Sequence, residues 1–307
     1  MNKLTKYGLT ALAGSLVATS VSDGEVGVSG SWSWSYDAGD SDEVTGNPFS
    51  MGDSVTFSGS GETDQGWTAG VSYELDGGTF DDYSLTLDMG DSGKLTYGGA
   101  SVGGDGIHSV SNIVPAADTV VYSMTDTATA YGVADGSSKA GNIGYNITIG
   151  DVKLSADMTK GAGTDRSIGV TYTGVEGMTL VYGQGDSNPG NVNGGTAETV
   201  MGIKYAVAGI TAAYMVTDVD IGGAGAADEE GTHYGVSFAV NDDLTVSYAI
   251  QDVAITGKGQ DEKNSGLGIS YTMGSMSVAA YAGKTENGNG VATADDEGKG
   301  ITLSIAF

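Results

Sequence analysis

The sequence predicts an all-β fold: a 16-stranded antiparallel transmembrane β-barrel with a long third loop folded into the lumen. Three observations carry the barrel. Apolar and polar residues alternate with period two in sixteen separate segments. The connections between segments alternate between short and long, as in a barrel with tight turns at one rim and loops at the other. The apolar face of each segment, as read, carries no charge, while the opposite face carries small polar residues and an occasional ion.

The chain of 307 residues opens with an export signal over residues 1–22. Lys3 and Lys6 form a basic start, Tyr7–Val17 a short apolar stretch, and Ala18–Ser22 a run of small residues suited to cleavage after Ser20 or Ser22. The mature domain, 23–307, then begins its alternation at once. The sixteen apolar faces run over Val26–Tyr36, Val55–Phe57, Trp67–Leu75, Tyr83–Met89 and Leu95–Tyr97 before the longest gap. After it come Ile143–Ile149, Val152–Met158, Ile168–Tyr172, Met178–Tyr182, Met201–Val207 and Ile210–Val216. The last five are Tyr234–Val240, Leu244–Ile250, Leu267–Tyr271, Met276–Ala280 and Ile301–Phe307. Short turns include Gly150-Asp151, Ala208-Gly209 and Gly274-Ser275. The three prolines, Pro48, Pro115 and Pro189, all fall in long connections, where no ladder hydrogen bond is lost.

Period two alone does not separate a soluble sandwich from a barrel in lipid. The polar face does. Its Ser, Thr, Gly, Asn and Ala are joined by Glu74, Asp88, Lys94, Lys153, Asp157 and Lys204, which a water-filled lumen tolerates and a packed core does not. Aromatic residues such as Trp34, Tyr73, Tyr172, Tyr205 and Tyr248 sit on the apolar face near segment ends, where membrane girdles lie. Closure removes the sheet edge that lipid could not satisfy.

Composition excludes other classes. There is no cysteine, so no disulfide framework, thiolate metal site or Cys nucleophile. With 39 Asp+Glu against 12 Lys+Arg the net charge is −27, which argues against a nucleic-acid partner. Two histidines, His108 and His233, leave little for a catalytic cluster. The 53 glycines fit curvature and crowding relief within strands.

The connection over 98–139 is exceptional. It holds Asp105, Asp118, Asp126 and Asp135 beside apolar residues such as Ile107, Val110, Ile113 and Val114, which would not wave free in water. Folded into the lumen, it becomes a constriction loop. Its four acids, with the lumen-face ions named above, are the candidate selectivity residues.

Here the sequence resembles the general porins of Gram-negative outer membranes. The cleavable signal, the sixteen alternating segments, the long loop after the fifth and the final Ile301-x-Leu303-x-Ile305-x-Phe307 carry the likeness. The resemblance implies a homotrimer in the outer membrane, with much of the contact near both termini, over Val26–Trp34 and Ile301–Phe307. It also implies that Phe307 is read by the barrel-insertion machinery. In the family, third-loop acids face a cluster of wall arginines. This chain departs from that, because its single arginine, Arg166, lies near a loop and its wall bases are lysines.

The function expected is therefore a passive channel, without enzymatic activity, for small hydrophilic solutes and ions, favouring cations because the outer connections are strongly acidic. Acid runs at Asp40, Asp42 and Glu43, at Asp218 and Asp220, and at Asp295, Asp296 and Glu297 could hold Ca or Mg and bridge to lipopolysaccharide phosphates. Alternatives are a substrate-selective channel, a Ca-binding surface β-protein or adhesin, and an outer-membrane barrel hydrolase. The adhesin lacks tandem repeats, and the hydrolase lacks a compact catalytic cluster.

Overall fold

A computed structural model of the chain describes residues 16–21, 24–39, 47–98, 105–115, 142–160, 164–187, 195–223 and 227–307. A leading strand, β1 (Leu16–Val21), precedes the ring. The first half of the ring comprises β2 (Gly24–Gly39), β3 (Phe49–Glu62), β4 (Thr68–Asp76), β5 (Thr79–Asp88), β6 (Lys94–Gly98), β7 (Asn142–Ile149), β8 (Val152–Lys160) and β9 (Thr164–Val175). The second half comprises β10 (Met178–Ser187), β11 (Thr196–Val207), β12 (Ile210–Ile221), β13 (Glu229–Ala239), β14 (Leu244–Ile255), β15 (Glu262–Met273), β16 (Met276–Glu286) and β17 (Asp296–Ala306).

Every ring strand pairs antiparallel with its sequence neighbours, and β17 pairs back onto β2, so sixteen strands close into a barrel. At the seam, Phe307 and Gly30 exchange two backbone hydrogen bonds, at 2.8 and 2.9 Å. Strand β1 pairs with Gly24–Val28, the stretch of β2 edge beyond the end of β17.

Each of the sixteen apolar segments coincides with a ring strand, with Trp67, Met89, Val240 and Phe307 one residue past the strand at the turn rim, and the strands run on beyond the segments toward the loop rim. In β12 the apolar face reads Ile210 to Val216, but the strand continues to Ile221. Those extensions change one expectation. The outward face is free of charge only in the apolar band. Beyond it stand Asp218 opposite Glu230, and Asp252 opposite Thr232 with Lys263 at 3.7 Å. Arg166 and Asp186 also face outward here, paired at 3.4 Å. Asp53 stands outward opposite Trp32, level with the turn between β4 and β5. That turn is itself a correction: at the loop rim, only Gly77 and Gly78 join the two strands. Both have positive φ, 56° and 75°, the conformation a two-residue hairpin needs and glycine supplies without strain.

Burial is inverted relative to a soluble protein. Outward Val71, Leu85 and Met201 are more than half exposed. The packed apolar cluster lies inside the ring: Ile107, Val110, Ile113 and Val114 of the third loop meet wall residues including Val181, Val200, Ala213, Met215 and Ala249. Burying each large aliphatic side chain is worth about 1.5–3 kcal/mol, enough together to hold a loop against a wall.

Candidate functional site

The lumen wall is built from the inward half of each strand's alternation. The third loop's described part, 105–115, runs along it from β7 to β13. It starts as a 3₁₀ turn, Gly106–Ser109. The Gly106 and Ile107 amides donate to Ser155 Oγ of β8 and Ser167 Oγ of β9, at 2.7 and 2.8 Å. Ser109 Oγ donates to the Gly106 carbonyl at 2.6 Å.

The wall beneath is glycine where the loop comes closest. A Cβ on Gly144 would strike the Asp105 carboxylate, and one on Gly169 the Gly106 carbonyl. A Cβ on Gly183 would stand 2.7 Å from both Ile107 and Val110. One on Gly202 would stand 2.5 Å from Ile113, and one on Gly235 2.8 Å from Val114. Gly106 itself has φ 57°, and a Cβ there would strike Ser167 and Asp157. The wall glycines escape a reading of composition, but the signal was present: each occupies an inward position of its strand's alternation.

Asp105 is 8 % exposed and accepts a short hydrogen bond from Asn146 Nδ2. Burial pushes its carboxyl above the usual carboxylate range. The Asn146 amide pulls it back, Asp157 pushes it up, and Lys153 and Lys94 pull it down. Asp118, Asp126 and Asp135 lie outside the described residues, so four expected loop acids reduce to one with a described place.

The other lumen candidates all face inward. Glu74 accepts from Ser54 Oγ at 2.6 Å. Asp157 accepts from Ser167 Oγ and, at 3.3 Å, from Asn142 Nδ2. Asp88 and Lys94 are register partners near the turn rim, where Asp88 also accepts from the Gly90 amide at 2.9 Å. Lys153 is opposite Thr148 and Thr171, and Lys204 opposite Thr179 and Ala213.

Lumen charge is sorted along the axis. In the half nearer the loop rim, Asp37, Glu74, Asp76, Asp82, Asp157 and Asp165 face inward from β2, β4, β5, β8 and β9. Glu198, Glu229, Glu262 and Asp296 continue the series on β11, β13, β15 and β17. No lysine or arginine faces inward there among the described wall residues. All three inward lysines, Lys94, Lys153 and Lys204, stand in the half nearer the turn rim, beside Glu25, Glu62 and Asp88.

The acid runs separate in space. Asp218 and Asp220 are on the outward face of β12, not in a loop. Asp296 faces the lumen and is 6 % exposed, whereas Glu297 faces outward and Asp295 accepts from the Asn287 amide at 3.0 Å. Among the described residues no three His, Cys, Asp or Glu side chains converge to hold a metal ion. Asp40, Asp42 and Glu43 lie outside the described residues.

The family model for Gram-negative porins matches residues 8–303. Among solved structures, OmpT, an outer membrane protein of Vibrio cholerae, superposes with a TM-score of 0.68 at 12 % identity, covering 95 % of this chain and 99 % of that one. It is also described in a trimer form. An anion-selective porin from Comamonas acidovorans gives 0.67 at 13 % identity, covering 93 % and 100 %. A porin refined at 1.8 Å resolution gives 0.66 at 18 % identity, covering 92 % and 100 %. No curated protein sequence matches significantly.

Proposed function

This chain belongs to the Gram-negative porin family, and we propose that its channel is a passive diffusion pore for small hydrophilic solutes and ions that prefers cations. It is an outer-membrane porin, and the reading gives it no catalytic role. The observation that supports cation preference is the lumen charge: among the described wall residues, many inward carboxylates against three inward lysines. Fold does not set the sign of selectivity, because an anion-selective porin shares the fold. Fixed charge does, by concentrating counter-ions in a narrow low-dielectric passage. A reversal potential measured across a KCl gradient tests this. A potential near the K⁺ equilibrium value is expected, and one near zero or of opposite sign overturns it.

The assembly is read as a homotrimer. At the β4–β5 hairpin the loop rim is low, and the outward face there carries ring contacts, Tyr73 with Phe80 at 4.9 Å and Phe80 with Tyr83 at 5.8 Å, continued on neighbouring β2 and β3 by Trp34 with Phe49 at 5.6 Å. Clustered rings on a low wall suit contact with another protomer, and a trimer form of the Vibrio cholerae OmpT agrees with that reading. A fast-migrating oligomer on an unboiled denaturing gel, collapsing to monomer on heating, is expected. Residues 1–22 are read as the cleaved export signal, Phe307 as the residue presented to the insertion machinery, and the outward acids beyond the apolar band as Ca or Mg contacts to lipopolysaccharide.

A further inference from the structure

We infer that the channel conducts asymmetrically: at low salt it passes more current when cations move from the loop rim to the turn rim than in reverse. This deepens the channel reading and rests on it. The observation is the axial sorting of lumen charge. The loop-rim half presents ten inward carboxylates and no inward base among the described wall residues. Among the described wall residues the turn-rim half presents three carboxylates and three lysines, and so is near neutral.

Four of the loop-rim acids have neutral donors among their hydrogen-bond partners. Asp37 accepts from Tyr281 and from Ser35 Oγ, and Glu74 from Ser54 Oγ. Glu262 accepts from Asn264 Nδ2 and the Asn289 amide, at 2.8 and 2.7 Å. Asp296 accepts from the Glu297 amide at 2.8 Å. These donors are hydroxyl, amide and backbone groups, which hold a carboxylate without neutralising it.

A membrane band about 25 Å tall puts the centres of its halves about 12 Å apart. The Debye length is about 10 Å at 0.1 M salt, so each half sets its own ion composition. In the acidic half current is carried almost wholly by cations. In the neutral half cations and anions share it. When cations run from the acidic half into the neutral half, more arrive at the junction than leave, anions enter from the neutral side to balance them, and salt accumulates. Conductance rises. With the field reversed the same junction is depleted and conductance falls.

The test is single-channel recording in a planar bilayer at both polarities. Orientation comes from Ser275→Cys, a unique thiol in an exposed turn at the turn rim, tagged from one compartment. In 0.1 M KCl the favoured polarity should carry about 1.5–2 times the current of the other, and in 1 M KCl, where the Debye length is about 3 Å, the ratio should approach one. Lys94→Glu with Lys153→Glu, on two exposed side chains, makes the turn-rim half acidic and should bring the low-salt ratio toward one. If the pair fails to fold, Lys153→Gln alone should lower the ratio by a smaller amount. Equal currents at 0.1 M, a reversed preference, or an asymmetry untouched by the lysine changes overturns the inference. Silence at both polarities instead overturns the channel reading beneath it.

Discussion

Two stretches of one inner wall are written in the same alternating pattern and meet different neighbours. On β3, β4 and β5 the inward row reads Ser58, Ser72 and Ser84, in register and facing the lumen. On β9, β10, β11 and β13 the inward positions under the third loop include Gly169, Gly183, Gly202 and Gly235, with Val181 and Val200 beside them. The first wall offers hydroxyls to water. The second offers absence of side chain and small aliphatics to protein. An inward residue in a barrel is therefore chosen by what stands in front of it, and being lumen-facing does not by itself make a residue polar.

The largest effect should come from filling the seat. Gly183→Leu places atoms where Ile107 and Val110 already stand, and overpacking of this kind costs about 1–3 kcal/mol. Because the loop is the movable partner, the cost should appear as loss of its docking and not of the barrel. Amide exchange of residues 105–115 should accelerate roughly ten-fold or more, while strand amides stay protected. Ser72→Leu on the open wall should leave 105–115 unchanged. If both variants loosen the loop equally, the two walls are not distinct.

The barrel itself was legible because lipid and water impose period two on every strand, and period two survives without knowledge of neighbours. Each of the sixteen segments, from Val26–Tyr36 to Ile301–Phe307, matches one ring strand to within a residue at the turn rim. The seat was less legible. Ile107, Val110, Ile113 and Val114 announce burial by their apolarity, but nothing local says which wall receives them. Gly183 and Gly202 read as curvature until the loop stands against them. Asp218 and Asp220 read as a loop cluster because the apolar band ends at Val216, though backbone pairing continues to Ile221. Hydrogen bonding of the ladder does not need an apolar face, so pattern understates strand length at the water-exposed rim.

Asp105 sharpens the comparison by pH. It is an acid placed on the buried wall, where burial raises its carboxyl, whereas acids on an open wall keep water. For a raised carboxylate the sign is fixed: its contribution to docking is fully present below the unfolded value and is lost as pH rises through the folded one. Exchange at 105–115, corrected for intrinsic amide rates, should therefore quicken as pH climbs from about 4 through the folded value. Asp105→Asn carries no charge to bury and should flatten that dependence. A wild-type loop that tightens over the same interval would contradict the burial argument.

The smallest effect should come from Ser72→Ala on the open wall. Its Oγ lies 2.7 Å from Ser84 Oγ, a contact that looks structural. Both hydroxyls face a water-filled lumen, so deleting one lets water satisfy the other, and the net value of such a bond falls within about 0.5 kcal/mol. Heat-dependent mobility on a denaturing gel and exchange across β4 and β5 should both be unchanged within error. A loss above about 1 kcal/mol would mean that this wall is covered by protein as the loop-bearing wall is, and would erase the distinction between them.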